Sequence, residues 1–469
     1  SYTAVTTTLA GAARDDDGGA AGRIVQGSLR QFMTNANAIA GSNAMRFVPV
    51  LPVNDSSWWE VKVTDPLPTV TGDTTTIDGT AFEYVDGVTV RDENAGTTGY
   101  NAAGDKTVGV DSIALPVIGR PELEIEADRT IGNPVEVGFD ITADDVAVRD
   151  LAIFGFGDTG VGNADANIMV GYDGSPVYSG AIIERNVIGS GAGDFVGPIV
   201  AGTGMGVRLE TSAGAIVRDN LIGFMDSRTV DVITATGTLI EGNELSTVDE
   251  DVVDVYLLSN TTSVLENYIN GGVNWALDFI GPNGWIRNNT VVSAGAGGGQ
   301  TGGLRIFSTG HTVDRNVFLT NNGPAIAIAG DKSTAEIRPA GEAVITQNEF
   351  SGNDGLAIDL QAASDDNSLS GDGITPNNGG VTDPTHGNQE LDFPVITSAT
   401  LSGGTTAVTG TACSGCTVEI FEAVGGTGDD DPPGSGTNYH GEGIAYLGSG
   451  VATGGTFSID VTGLVDGDE

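Results

Sequence analysis

A chain of 469 residues with 72 Gly and much Thr, Val, Ile, Asn and Asp has the composition of many short strands joined by tight turns, and is read as all-β. Its 63 acidic against 19 basic side chains leave a formal charge of −44, which argues against phosphate backbones and anionic lipid headgroups as partners, so no nucleic acid is expected. No apolar run approaches the ~20 residues that cross a bilayer, so no membrane-spanning segment is expected within these residues. The first residue is Ser1 rather than Met, so the chain reads as a processed form or an excerpt of a longer precursor.

In chain order, Ser1 to Leu9 alternates as an extended strand should. Residues 27–41 supply the one helical pattern: Ser28 and Gln31 stand in capping-box spacing, and Leu29, Phe32, Met33, Ala36 and Ile39 fall on one face. Trp58 and Trp59 are neighbours on a strand and so point to opposite sides, one to a core and one to a covering loop. Pro66 to Thr80 reads as irregular opening coils, and residues 84–115 as a loop-rich insertion.

A repeat then takes over. An aliphatic residue, two more residues, Asn, one residue and another apolar residue recur as Ile183-Glu-Arg-Asn186-Val-Ile188, and around Asn220, Asn243, Asn267, Asn289, Asn316 and Asn348. An eighth, earlier copy, Val148-Arg-Asp-Leu151-Ala-Ile153, has Leu in the Asn place. The marks lie 35, 34, 23, 24, 22, 27 and 32 residues apart, so the basic unit is 22 to 24 residues, with loops inserted in the longer copies. That unit holds two or three short strands and suits one coil of a parallel β-helix. Asn tolerates left-handed backbone angles, and its amide can donate to one neighbour in a stack and accept from the other, so an Asn ladder is expected. Gly206-Val-Arg-Leu209, Gly303-Leu-Arg-Ile306 and Gly355-Leu-Ala-Ile358 read as Gly turns followed by strands.

Beyond about residue 362 the pattern stops. From Phe393 a second series, at about 395–401, 405–411, 417–421, 443–447 and 456–461, reads as an immunoglobulin-like β-sandwich with five strands where seven are usual. Cys413 and Cys416 form a lone Cys-x-x-Cys, with neither the second pair of a zinc site nor the βαβ context of a redox motif, and are read as a structural disulfide in an oxidising compartment. The expected domains are 1–45 (strand and capping helix), 46–390 (β-helix with insertions) and 391–469 (incomplete sandwich).

The string Gly27-Ser-Leu-Arg-Gln followed by Asn35-Ala-Asn, the passage from Leu67-Pro to Thr76-Ile-Asp-Gly-Thr80, and the Asn-marked coils resemble the secreted right-handed parallel β-helix repeat proteins. Asp392-Phe-Pro-Val-Ile leading into a Cys-x-x-Cys sandwich is similar to the end of the same family. The resemblance implies a right-handed parallel β-helix capped by the N-terminal helix. It leaves function open, because the family holds surface proteins, polysaccharide lyases and hydrolases, and phage tailspikes. The balance of 16 Arg to three Lys within so acidic a chain resembles haloarchaeal-type surface proteins, where high salt screens self-repulsion; an acidic secreted protein of a moderate environment is the other reading.

The candidate catalytic residues are Asp249, Asp251 and Asp254, with Arg305 and His311 further along. Against the motifs of polygalacturonase-like hydrolases the match fails: Asn260-Thr-Thr and Gly310-His311-Thr stand where Asn-Thr-Asp and Gly-His-Gly are wanted, and an Asp cluster in so acidic a chain reads first as hydrated surface. His386 and His440 read as loop or surface residues. Two acidic loops, Asp365, Asp366 and Asp372, and Asp429, Asp430 and Asp431, have the oxygen ligands for Ca²⁺ but read first as plain hydrated loops. Asn54, Asn260 and Asn288 open N-glycosylation sequons. The first functional expectation is an extracellular structural or cell-surface protein, self-associating by donating its N-terminal strand to the incomplete sandwich of the next subunit. The alternatives are a polysaccharide lyase or hydrolase working in a β-helix groove, and a glycan-binding adhesin.

Overall fold

The residue before each ladder position decides how the chain turns. Asp150, Arg185, Asp219, Gly242, Glu266, Asn288, Arg315 and Gln347 all have φ between +52° and +64°, and each directly precedes Leu151 or one of the seven marked Asn. The left-handed kink therefore falls one residue earlier than the sequence suggested, which leaves the Asn free to use its side chain. In the computed structural model, residues 2–5, 13–14, 27–50, 53, 57–129, 135–157, 165–172, 176–197, 204–256, 258–297, 301–332, 338–363, 374–424 and 441–465 are described. Among them no helix is long and apolar enough to cross a membrane. The chain divides into two compact units, Ser1–Thr107 with Ala114–Asn270, and Val108–Ile113 with Gly271–Glu469.

In the first unit, coils wind through three parallel sheets. The first face includes Thr75–Asp78, Ala147–Arg149, Ile182–Glu184, Ile216–Arg218, Leu239–Glu241 and Ser263–Leu265. After the turn come the second-face strands Leu151–Phe154, Val187–Ile188, Leu221–Met225, Glu244–Val248 and Tyr268–Asn270. The third face is Val137–Ile141, Ala166–Val170, Met205–Leu209, Val230–Val232 and Val253–Val255. Strict parallel register puts identical positions above one another: Val148, Ile183, Val217, Ile240 and Val264 form one buried inward column, and Ile153, Ile188, Ile222, Leu245 and Ile269 another. The unit is a parallel β-helix.

The buried turn between these columns is held by the ladder. The Asn220 side chain carbonyl accepts the backbone N–H of Asn186 at 2.9 Å and its Nδ2–H at 3.1 Å. The Asn220 Nδ2 in turn donates to Asn243 Oδ1 at 3.0 Å and to the Ile183 carbonyl at 2.9 Å. Asn243 and Asn267 repeat the same set. Every donor and acceptor of a fully buried amide is thereby satisfied. Outside the ladder, Asp78, Arg149, Glu184, Arg218 and Glu241 stand in register on the solvent side of the first face as a row of alternating sign. Arg149 reaches Asp78 at 2.9 Å and Arg218 reaches Glu184 at 2.7 Å.

The helix runs Leu29–Ala38 and buries Leu29, Phe32, Met33 and Ala36. Ser28 Oγ accepts the Gln31 N–H at 3.2 Å, and Gln31 Oε1 accepts the N–H of Gly27 rather than that of Ser28. The helix stops one residue short of Ile39, which is exposed instead of joining the apolar face. Asn37 fixes it to the opening coil by donating to the Thr69 carbonyl at 2.7 Å and accepting from Thr71 and Gly72. Tyr2–Val5, read as a strand for export to another subunit, pairs in parallel with Ala44–Phe47 of its own chain.

The second unit has the same coil plan in Trp285–Arg287, His311–Asp314 and Ala343–Thr346 on one face, Thr290–Val292, Val317–Leu319 and Glu349–Ser351 on the next, and Trp275–Phe279, Gly302–Ile306, Ile326–Ile328 and Ile358–Leu360 on the third. Asn289, Asn316 and Asn348 form a ladder at 2.8 to 2.9 Å. A second one, not foreseen, links Asn321 to Asn353 at the turn after the second face, again behind residues with positive φ, Thr320 and Gly352. Two antiparallel sheets follow, Val395–Ser402, Thr405–Thr411 and Thr456–Thr462 in one and Thr417–Val424 with Glu442–Val451 in the other. They share a core of Val408, Val418, Ile420, Phe457, Ile459 and Val461. Cys413 and Cys416 are bridged in the turn that leads from one sheet to the other.

These sheets supply what the last coil lacks. Glu442, fully buried, accepts from Asn353 N at 3.0 Å, from Asn353 Nδ2 at 2.7 Å and from Gly352 N, so its carboxylate takes the place the next Asn would occupy. Glu419 accepts from Gln347 N at 3.0 Å and from Thr346 Oγ1.

Asn243→Ala strands the buried donors of Asn220 and should cost about 2–4 kcal/mol in urea unfolding, whereas Asp219→Gly, beside it but at the left-handed position, should be neutral or stabilising. Glu442→Ala takes the acceptor from two buried donors of Asn353 and from the partly buried Gly352 N–H and should cost a similar about 2–4 kcal/mol; an unchanged midpoint would show that the carboxylate is not the terminator of the ladder.

Candidate functional site

On the third face of the first unit the strands read apolar, charged, apolar: Val207-Arg-Leu209, Val230-Asp-Val232 and Val253-Asp-Val255. Period two sends the valines and leucines inward and the middle residues outward. The register places Arg208, Asp231 and Asp254 side by side on successive coils. An outward row should be hydrated, yet their exposures are 5 %, 0 % and 3 %. Charge has been placed in a desolvated position.

Neighbouring residues partly compensate. Arg208 donates to Glu210 Oε2 from Nε at 3.2 Å and Nη2 at 3.0 Å, and its Nη1 lies 3.8 Å from Asp231 Oδ2. Arg228, on the turn that enters the same face, makes ion pairs with Glu250 at 3.1 Å and with Asp254 Oδ2 at 3.0 Å, and lies 5.9 Å from the centre of the Tyr256 ring. Glu250 is also bonded by the Ser227 hydroxyl at 3.0 Å. Asp231 differs from its neighbours: neither of its carboxylate oxygens receives a hydrogen bond. Burial pushes its pKa up to about 6, against the opposing pull of Arg228 and Arg208. Burial also raises the Tyr256 phenol, and Asp254 and Asp231 keep Arg228 firmly protonated despite its own desolvation. Solvent approaches through the partly exposed Glu210, Arg228 and Glu250. The arrangement can hold a proton near neutrality beside a second carboxylate one coil away, the raw material of general acid–base chemistry.

Of the five residues singled out from sequence, only Asp254 belongs to this cluster. Asp249 is exposed and Asp251 buried, both on the turn before the strand. Arg305 and His311 lie in the second unit. There Arg305 is bound to the Asp278 carboxylate at 2.9 and 2.5 Å, with the rings of Trp275 and Phe307 5.2 and 5.3 Å from its guanidinium, a closed pair in a greasy setting. His311 is on the first face, not the third. Its Nδ1 accepts the Gly284 N–H at 3.1 Å and its Nε2 contacts the Phe307 carbonyl at 2.9 Å, so both ring nitrogens are used, and burial lowers its pKa to about 4. It is a structural neutral histidine.

Arg208, Glu210, Arg228, Asp231, Glu250 and Tyr256 were missed by motif reasoning. The repeated Val-Asp-Val was the available signal, since a single acid between two core valines, twice on successive coils, is not ordinary hydrated surface. Asn288 is buried, with its amide bonded to Asp111 at 3.0 Å, so the folded chain does not offer it for glycosylation; Asn260 is exposed. His386 is half-buried and 3.2 Å from Asp383. Trp59 is buried against Phe47, and Trp58 is half-buried near Gly193. Asn54, His440, Asp365, Asp366, Asp372, Asp429, Asp430 and Asp431 lie outside the described residues.

No protein-family model and no curated protein matches the chain. Among solved structures it is similar to the Dettilon tailspike protein (gp208), with 14 % identity over 90 % of this chain and 81 % of that one and a TM-score of 0.38. It is also similar to the A-module of the Azotobacter vinelandii mannuronan C-5 epimerase AlgE4, with 12 % identity over 71 % and 83 % and a TM-score of 0.36. The third is the DFA-IIIase of Arthrobacter chlorophenolicus A6, with 15 % identity over 67 % and 69 % and a TM-score of 0.29. All three are distant, and the β-helix itself rests on the strand pairing described above.

The desolvated carboxylate has a measurable cost. Because the folded pKa of Asp231 lies above that of the unfolded chain, whatever stability this group contributes is fully present below about pH 4 and is lost as pH rises through about 6. Asp231→Asn removes that penalty, so it should stabilise the fold at pH 8 by up to roughly 3 kcal/mol and change little at pH 4. Equal effects at both pH values would show that the charge on Asp231 is not the cause.

Proposed function

We propose that the protein acts on a glycan at the outward row of the third face, with Asp231 and Asp254 as the working carboxyl pair and Arg208 and Arg228 holding the acids in place. The observation that carries this is the buried Asp231 carboxylate with no hydrogen-bond donor on either oxygen. Burying a carboxylate that receives no hydrogen bond, with its ion pair to Arg208 standing off at 3.8 Å, is expensive, and such groups concentrate where chemistry is done. Successive coils repeat the same side-chain position at about 4.8 Å intervals, and a substrate reaches the buried pair from the side of the partly exposed Glu210, Arg228 and Glu250.

The setting is extracellular, in keeping with the Cys413–Cys416 bridge, and the many surface acids suit a salt-rich medium. In this reading the helix Leu29–Ala38 caps the first coil, and the antiparallel sheets, immunoglobulin-like in kind, close the last. Asn260 is the position for a glycan modification of the protein itself. In this reading Tyr2–Val5 serves its own chain, pairing with Ala44–Phe47.

Turnover of a broad glycan panel in high salt, followed both as reducing ends and as unsaturated product, tests the assignment. Asp231→Asn and Asp254→Asn should each lose about 10²-fold or more of the rate while keeping the far-ultraviolet spectrum of the fold, and wild-type activity should fall as pH rises through about 6. No turnover of any glycan, or full activity in both variants, would remove the proposal.

A further inference from the structure

We infer that the glycan is uncharged, and that the reaction on it is hydrolysis rather than elimination from a uronic acid. This rests on the reading of the third-face row as the working site. The charges of the cluster decide it. Four carboxyl groups, Glu210, Asp231, Glu250 and Asp254, surround two guanidinium groups, so the cluster is net negative once three of the four are ionised. Both guanidinium groups are already engaged: Arg208 by Glu210 at 3.0 Å, Arg228 by Glu250 at 3.1 Å and Asp254 at 3.0 Å. A uronate carboxylate entering here finds its natural partners taken. It must displace Glu210 or Glu250, and it then faces Asp231 and Asp254 where water does not screen them. The whole chain adds to the repulsion with its charge of −44. Elimination needs a substrate carboxylate neutralised by a cation so that the adjacent carbon can lose its proton, and among the described residues of this cluster no spare positive group meets that need.

A neutral sugar meets none of these penalties. Its hydroxyl groups supply donors for the two empty oxygens of Asp231 when that group is ionised and accept from it when it is protonated. In the hydrolytic step the protonated Asp231 gives its proton to the glycosidic oxygen as the bond from that oxygen to the anomeric carbon breaks. Asp254, one coil away, forms the new bond to the anomeric carbon, the short spacing of the pair leaving no room for a water between them; water then attacks that carbon, Asp254 leaves, and the proton that water loses returns to Asp231. Atoms balance with water as the only co-reactant, and each carboxyl group ends in the state in which it began.

The test compares neutral, uronate-bearing and amine-bearing oligosaccharides of matched length on the intact protein, read as binding and as product type. Neutral chains should give reducing ends without unsaturated product, and uronate chains should bind at least tenfold more weakly. Glu210→Gln frees Arg208 and lies outside the carboxyl pair, so it should tighten uronate binding about tenfold, a change of roughly 1.4 kcal/mol. Unsaturated product from a uronate chain, or turnover confined to uronate- or amine-bearing chains, overturns this inference while leaving a glycan-acting site in place. Silence on every glycan instead removes the site assignment itself.

Discussion

Everything in the coils depends on a single hydrogen-bonded turn. A left-handed residue costs roughly 1–2 kcal/mol for an ordinary side chain, and only one of the eight turns marked by the repeat has Gly there. The chain accepts this cost repeatedly because the kink aims the following Asn into the interior, where its amide satisfies the backbone of the coil before it and is satisfied by the coil after it. The turn is stable only as a member of a stack. That makes each coil conditional on its neighbours and gives the end of a ladder a particular problem, which Glu442 solves at the Asn353 ladder by offering carboxylate oxygens in the geometry of the missing amide.

Because the ladder fixes register, it also fixes what faces outward. No coil can slip by one residue without turning its core valines into solvent, so residues in the middle of the third-face strands are locked into a row. On the first face the same rigidity yields alternating charges that neutralise one another, Asp78, Arg149, Glu184, Arg218 and Glu241. On the third face it sets Asp231 directly beside Asp254. Identical geometry thus produces a self-compensating ladder on one side and, on the other, a buried carboxylate that its arginine neighbours compensate only in part. The difference is chemical rather than architectural, and it separates scaffold from site.

The repeat was legible in the sequence because a polar amide recurring at a fixed place among aliphatic residues must find its partners in copies of itself, and the helix was legible through Ser28 and Gln31. The left-handed residue was not, since Arg185, Asp219 and Glu266 have little in common as side chains and the constraint on them is imposed by the turn. The second ladder escaped notice for a related reason: with Ala294, Asn321 and Asn353 as its members, its pattern is too short to stand out. His311 and Arg305 looked like candidates only because rare residue types draw attention, whereas burial among Phe279, Phe307 and Trp275 makes both structural. Asp231 looked like one acid among 63, and its singularity appears only when three coils are stacked.

The acidity of the chain then takes two distinct meanings. Among the described residues most carboxylates are at least partly exposed to water, where salt screens them over a Debye length of about 3 Å at molar concentration and their mutual repulsion is tolerable. Asp231 is shielded from that medium, so dissolved ions do not relieve it, and its cost persists at any ionic strength. A group whose energetic burden is independent of the solvent to which the rest of the surface is adapted does not owe its place to adaptation to salt. Replacing it with Val or Thr on an otherwise apolar strand would remove the burden without disturbing a single ladder bond, so its presence points to a use in the chemistry of the face rather than to the stability of the coil.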